Sequence, residues 1–279
     1  MGGRVEYKYL VPNSQLDAIR ADLRPYMELD PFAGKSSSSE YTVRSVYYDT
    51  PRLDCYEAKL SGLGERMKFR IRGYDRPEAS SIVFLEIKQK HGEFIDKNRA
   101  PLLYKDLNAF LDCPDLDKHI IPLSGTAVEK SDAQRFLYHY CRYGLRPAAL
   151  VVYDREAFLG KFDPSLRLTF DKNLRGSILP ELDMLYDEER LEHTMRRFTT
   201  LEVKFFRRAL PAWVISLIQR YELPRMALSK YTICMDALRG HVNPAQMRML
   251  FPTPLDALQA PAETSRMRNR VLARVSNSA

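Results

Sequence analysis

Met67-Lys68-Phe69-Arg70-Ile71-Arg72 alternates apolar and basic residues without a break. In a β-strand successive side chains point to opposite sheet faces, so Met67, Phe69 and Ile71 share one face and Lys68, Arg70 and Arg72 the other. Like charges repeated along one strand face repel each other. A sequence chosen for stability alone would alternate their sign there, so an anionic group is expected in front of this face.

The same alternation extends outward from this stretch. Val83 to Lys90 sets Phe84, Glu86, Lys88 and Lys90 against Val83, Leu85, Ile87 and Gln89, and Arg4 to Val11 puts Glu6 and Lys8 on one face. Tyr41 to Tyr48 reads as a strand that ends in the turn signal Asp49-Thr50-Pro51. Further strands are expected at Ala149 to Phe158, with Tyr153 and Arg155 in phase, at Leu166 to Phe170, with Arg167 and Asp171 in phase, and at Leu201 to Phe205, with Glu202 and Lys204 in phase. Helical spacing appears at Leu16, Ile19 and Leu23, through roughly Lys105 to Tyr143, and from Pro211 to Tyr221, while Ser229-Lys230-Tyr231 opens a last short strand or helix. Lys97-Asn98-Arg99-Ala100-Pro101 is a basic patch at a strand start or loop. The pattern predicts an α+β fold: an antiparallel barrel of about eight strands with a charged lumen, flanked by α-helices. One domain is expected over 1–240, followed by a Pro-rich basic tail over 241–279.

The bulk composition narrows the function classes. The chain of 279 residues has 45% apolar and 28% charged residues, as in an ordinary soluble globular protein, and its net charge of +7 favours anionic partners. No run approaches the roughly 18 apolar residues of a membrane span, and the first residues resemble neither a signal peptide nor a myristoylation site. A cytoplasmic protein is expected. The four cysteines, Cys55, Cys113, Cys141 and Cys234, form no Cys-x-x-Cys pair and are expected to be buried free thiols; the five histidines show no metal-ligand spacing. Aromatic residues such as Tyr7 and Phe69 fall on apolar rather than basic faces, which argues against a stacking surface for nucleic acid.

Three separated strands carry the phrase Glu-x-Lys: Glu6/Lys8, Glu86/Lys88 and Glu202/Lys204. One such pair is the ordinary pattern of a surface strand. Three of them, with Lys68, Arg70, Arg72, Arg155 and Arg167, indicate polar faces converging inside a barrel, where cations outnumber acids. An open sheet with its charged face in water is the competing arrangement. Desolvating so many unpaired charges costs several kcal/mol per ion, so such a lumen must be wet when empty and suited to a polyanion. Arg forks and Lys point charges grip phosphates, and a few convergent carboxylates hold Mg²⁺ or Mn²⁺. Phosphoryl transfer needs mainly alignment and charge neutralisation, and no Gly-rich phosphate loop or kinase signature offers another route.

Arg4-Val5-Glu6-Tyr7-Lys8-Tyr9, Ser45 to Thr50, Arg66 to Tyr74, Leu85-Glu86-Ile87-Lys88, Leu201-Glu202-Val203-Lys204 and Ser229-Lys230-Tyr231, in this order, resemble the vacuolar transporter chaperone (VTC) domain, the polyphosphate polymerase branch of the triphosphate tunnel metalloenzymes. The resemblance implies a tunnel barrel in which Mn²⁺ or Mg²⁺ helps transfer the γ-phosphate of ATP onto inorganic polyphosphate. Carried over by position, it implies that Lys8, Arg70, Arg72, Lys88, Arg155, Arg167 and Lys230 bind phosphates and act in catalysis. Lys68, Lys204 and Ser229, with Lys97 or Arg99, are further phosphate contacts. Glu202 is the leading metal ligand, and Glu6 and Glu86 are secondary candidates. The related triphosphatases begin Glu-x-Glu-x-Lys, whereas this chain has Arg4-x-Glu6-x-Lys8, which disfavours hydrolysis. Tripolyphosphate or nucleoside triphosphate hydrolysis and a non-catalytic polyphosphate or nucleotide sensor remain the alternatives. ATP and polyphosphate are the expected partners, and a membrane-protein partner is left open.

Overall fold

The computed structural model describes residues 5–33, 39–92, 94–124, 127–206 and 209–239; the tail expected over 241–279 lies outside the described residues, as does Arg4. In chain order the strands are β1 (Val5–Pro12), β2 (Met27–Leu29), β3 (Tyr41–Asp49), β4 (Glu65–Tyr74), β5 (Ile82–His91), β6 (Phe94–Leu103), β7 (Arg146–Gly160), β8 (Arg167–Ile178), β9 (Glu192–His193) and β10 (Phe198–Phe205). The helices are α1 (Leu16–Leu23), α2 (Asp54–Leu60), α3 (Leu107–Asp112), α4 (Leu116–His119), α5 (Val128–Tyr143), α6 (Ala212–Arg220) and α7 (Lys230–Leu238).

Eight strands form one antiparallel sheet in the order β1-β10-β8-β7-β3-β4-β5-β6, with β2 on β7 and β9 on β8. The sheet curls into a half-barrel, the α+β architecture that the alternating segments predict. Among the described residues β1 and β6 do not pair with each other. The segment before α7 lies along the free side of β1: Leu10 N donates to Pro224 O at 3.2 Å and Met226 N to Lys8 O at 2.9 Å. Lys88 Nζ on β5 also reaches back to Glu6 Oε2 on β1, at 3.3 Å. Side chains and this segment, rather than a ladder, bring the two ends of the sheet together. Pro101 is accommodated because β6 is an edge strand.

The apolar faces pack outward as the alternation requires. Phe69 and Ile71 of β4 join Leu85 and Ile87 of β5 beneath Phe110 of α3 and Phe136 and Leu137 of α5. Leu168 and Phe170 of β8 and Leu201 and Val203 of β10 pack with Ile19 and Leu23 of α1 and Val214 and Leu217 of α6. Burial of these side chains, about 1.5–3 kcal/mol each, sets the strand register. The long helical reading of Lys105 to Tyr143 resolves into three helices because Pro114 and Pro122 interrupt it. Strand β8 runs past Phe170 to Ile178 through a bulge at Asn173, whose φ is 51°.

One part departs from the expected charged lumen. On the inner face of β3 and β7, Tyr47, Ala149 and Val151 are buried against α7, whose Tyr231 stacks on Tyr47 with ring centroids 5.0 Å apart. Helix α7 therefore fills one end of the half-barrel. Its approach is so close that a Cβ on Gly176 would lie 3.1 Å from Cys234 Sγ and 2.5 Å from Leu150 O. Of the cysteines only Cys141 and Cys234 are buried; Cys55 is half-buried and Cys113 is exposed, because the α3 end that carries it faces solvent.

Candidate functional site

The three Glu-x-Lys phrases put their glutamates at the centres of cation clusters. Glu202, on β10, lies 2.9 Å from Lys204, two residues along the same face, and 2.9 Å from Lys230 at the start of α7. It is also 3.5 Å from both Lys8 on β1 and Arg155 on β7. Arg155 forks onto Asp171 of β8, with its Nε and Nη2 donating at 2.6 and 2.8 Å, and Lys230 reaches the same carboxylate at 2.5 Å. Glu86 is surrounded by Arg70 at 2.6 Å, Lys97 at 2.7 Å, Arg99 at 3.2 Å and Arg72 at 3.9 Å. Glu6 bridges Lys8 at 3.2 Å and Lys88 at 3.3 Å.

Burial alone would raise the pKa of these acids. For Glu86 it is overcome by Arg70, Arg72 and Lys97, and for Glu202 by Lys204, Lys230, Lys8 and Arg155, so both sit well below the usual carboxylate range. Glu6 is also lowered, against burial and Glu202, by Lys8, Lys88 and Lys204. The carboxylates are ionised at neutral pH.

The cations are less comfortable. Lys68 of β4 sits directly opposite Lys88 of β5, which in turn sits opposite Lys97 of β6. Burial pulls Lys68 well down, and Lys8, Lys88, Arg70 and Lys59 add to the effect. Burial also draws Lys88 to about 8 despite Glu6, and Lys97 to about 8 despite Glu86. Among the described residues Lys68 has no carboxylate partner; its Nζ donates to Ser229 Oγ at 2.7 Å. Ser229 in turn caps α7 by accepting from Thr232 N at 3.4 Å.

Lys8, Lys68, Arg70, Arg72, Lys88, Arg155, Lys204, Ser229 and Lys230 line one cavity of about 80 Å³ with Glu6 and Glu202. Eight basic side chains there face two acidic ones. The structure keeps three expected phosphate contacts out of that lining. Arg167 is four residues along β8 from Asp171 and pairs instead with Asp30, at 2.9 Å, just after β2. Lys97 and Arg99 flank Glu86 from the neighbouring edge strand, with the Arg99 guanidinium 3.4 Å from the Phe84 ring centre. Two tyrosines complete the lining: Tyr47, which the alternation did not single out, accepts through its OH from Arg70 at 2.9 Å, and Tyr153, read in phase with Arg155, accepts from it at 3.3 Å while its ring lies 4.6 Å from Lys230 Nζ. Tyrosine counts as apolar in a periodicity reading, which hides a hydroxyl turned inward.

The oxygen donors suit a hard divalent cation in part. Glu6 and Glu202 are ionised and share Lys8, and Mg²⁺ or Mn²⁺ needs only one or two carboxylates when phosphate oxygens and water complete its shell. Among the described residues no group of three or more His, Cys, Asp or Glu side chains forms a self-sufficient metal site. Glu86 fits poorly, because its carboxylate is already enclosed by Arg70, Arg72, Lys97 and Arg99.

Comparison with known proteins gives the family. The family model of the VTC domain matches residues 3–239. Vacuolar transporter chaperone complex subunit 4 of Trypanosoma brucei brucei is 29% identical over 201 residues, covering 62% of this chain and 25% of that protein. The subunit 4 of Trypanosoma cruzi is 28% identical over 153 residues, covering 48% of this chain and 19% of that protein. The chain thus matches about a quarter or less of the length of these relatives. The solved structure of PH1819 from Pyrococcus horikoshii OT3 has a TM-score of 0.42 at 13% identity, covering 84% of this chain and 98% of that one. Among the described residues no helix is long and apolar enough to cross a membrane.

Proposed function

The chain belongs to the VTC domain family, and from that premise we propose that it is a polyphosphate polymerase that transfers the γ-phosphate of ATP onto the end of an inorganic polyphosphate chain. The observation that carries this reading is the cavity lined by eight basic and two acidic side chains, in which the half-buried Lys68 and Lys88 face one another and Glu6 and Glu202 stay ionised. Glu86 and Asp171, outside that lining, pair with Arg70, Arg72, Arg155 and Lys230, and a row of phosphates would compensate the cations left over.

In the proposed reaction a terminal oxygen of the chain attacks the γ-phosphorus, the bond from that phosphorus to the β–γ bridging oxygen breaks, and ADP leaves. The chain grows by one phosphate. Arg70, Arg72 and Arg155 are held by Glu86, Ser45, Asp171 and the two tyrosine hydroxyls, so their forks are oriented before phosphate arrives. Lys8, Lys68, Lys88 and Lys230 supply point charges from four different elements and fix the two phosphate groups end to end. Glu202 and Glu6 would hold Mn²⁺ or Mg²⁺, which when bound neutralises charge on phosphate oxygens and lowers the repulsion between the two anions.

Glu202→Gln tests the reading against a non-catalytic sensor. A polymerase loses turnover by roughly a hundredfold or more while it retains polyphosphate binding. A parent protein that binds polyphosphate and never turns over ATP contradicts the enzyme reading.

A further inference from the structure

Asp49 follows Tyr47 by two residues, so it lies on the same inner face of β3, and it is wholly buried. It stands outside the cavity lining and touches none of the basic side chains there. Its two oxygens instead accept four hydrogen bonds. Oδ1 takes Thr50 N at 2.8 Å and Cys55 N at 2.9 Å, and Oδ2 takes Tyr56 N at 2.9 Å and Tyr231 OH at 2.7 Å. Three of these satisfy backbone amides at the end of β3 and the first turn of α2, and the fourth crosses to α7. Burial pushes the carboxyl above its ordinary value against these four donors, and among the described residues no basic side chain stands within ion-pair distance of it. A charge buried in that way is unfavourable unless its hydrogen bonds are needed. An Asn in its place would turn a donor toward two of the four donors.

The bond to α7 is the one that reaches the site. The Tyr231 ring, held by Asp49 at its hydroxyl, stacks on Tyr47 with centroids 5.0 Å apart and planes 12° apart, and Tyr47 OH accepts from Arg70 at 2.9 Å. The residue before Tyr231 is Lys230, whose ammonium lies 2.5 Å from Asp171 and 2.9 Å from Glu202. Neighbouring residues of a helix are set about 100° apart, so a roll of α7 that broke the Tyr231 bond would swing Lys230 away from both carboxylates.

We propose that Asp49 is a positioning residue of the site: through Tyr231 it fixes the roll of α7 and thereby the place of the Lys230 ammonium. The proposal rests on the polymerase reading for its kinetic readout alone. The competing role is a plain anchor, a buried cap for α2 whose loss loosens the fold and nothing else. Tyr231→Phe separates the two, because it removes the bond to α7 and leaves the three backbone bonds of Asp49 in place. Tyr56→Phe is the matched control. Tyr56 OH bonds Asp236 of α7, so its loss weakens the contact between α2 and α7 while the Asp49 to Tyr231 bond remains.

The test compares the parent with Tyr231→Phe, Lys230→Gln, their double variant, Tyr56→Phe and Asp49→Asn. Tripolyphosphate binding, ADP and polymer formed from ATP, and urea unfolding are measured for each. Tyr231→Phe is expected to bind tripolyphosphate several-fold more weakly and to lose about tenfold in kcat. In the Lys230→Gln background the same change should alter binding by less than about twofold, since the group that Tyr231 places is gone. Tyr56→Phe should lower the unfolding midpoint and leave binding and turnover at the parent level. Asp49→Asn should repeat the binding defect of Tyr231→Phe with a larger loss of stability; should it not fold, Tyr231→Phe decides alone.

A Tyr231→Phe protein that is less stable but binds and turns over like the parent makes Asp49 a plain anchor and overturns the proposal. So does an equal effect of Tyr231→Phe with and without Lys230, or a binding loss in Tyr56→Phe as large as that in Tyr231→Phe. A parent that makes no polymer while Tyr231 and Lys230 remain coupled in tripolyphosphate binding would keep the positioning role and defeat the polymerase reading. A parent that polymerises without that coupling would do the reverse.

Discussion

Lys68 and Lys88 face each other directly across the β4–β5 ladder. Like charges in that relation destabilise a sheet, and both amines are shifted below their ordinary range, Lys88 to about 8. Relative to the unfolded chain, the empty protein binds fewer protons on Lys88 between about 8 and 10.5. Its stability contribution therefore rises with pH through that window, and the penalty is fully present below it. A bound polyanion stabilises the protonated amines and so reverses the trend for affinity. Polyphosphate binding is expected to take up protons near pH 8 and to weaken as pH rises further. Calorimetry in two buffers of different ionisation heat measures the uptake, and buffer-independent heats would contradict it.

Glu6 is the acid nearest to this lysine row, and its contact with Lys88 joins β5 back to β1. Glu6→Gln removes a negative charge from the wall facing an anionic ligand. With divalent metal chelated, tripolyphosphate should bind it at least as tightly as it binds the parent, while the thermal midpoint falls because Lys8 and Lys88 lose a partner. Weaker tripolyphosphate binding in a folded variant would mean that Glu6 assists the anion by some route other than charge.

Ser229 serves α7 and the site together, accepting from Thr232 N and from Lys68 Nζ. Ser229→Ala should lower stability by about 1 kcal/mol, as for the loss of an N-cap. It should also free Lys68 to move. Denaturant unfolding reads the first effect, and a changed KM for ATP reads the second.

Arg70→Lys keeps the charge but cannot fork between Glu86 and Tyr47. Turnover should fall by roughly one to two orders of magnitude, with a much smaller change in polyphosphate affinity. Equal activity in the two proteins, measured as ADP formed, would show that only the charge matters at this position.

Much of this arrangement was legible in the alternation of β4, β5, β1 and β10, because a buried apolar face leaves the partner face no choice of register. The same rule placed Arg155 and Asp171 inward. It could not reveal that Asp30, in the segment after β2, would claim Arg167, since a contact between distant segments leaves no periodic trace. Nor could it separate strand from helix at Ser229 to Tyr231. Lys230, Tyr231, Thr232, Cys234, Met235 and Leu238 are all buried, so α7 has no polar stripe to betray its period. Tyr47 was hidden for a related reason: it buries its ring like an apolar residue while its hydroxyl serves Arg70, whereas Tyr153 was already in phase with Arg155.

The most direct test is to follow the γ-phosphate itself. Purified protein is given Mn²⁺ and ATP labelled at that position, and ADP, orthophosphate and polymer are quantified together. The account predicts label in a long chain, with one ADP formed for each phosphate incorporated. Label released as orthophosphate, or ATP left intact, would contradict it.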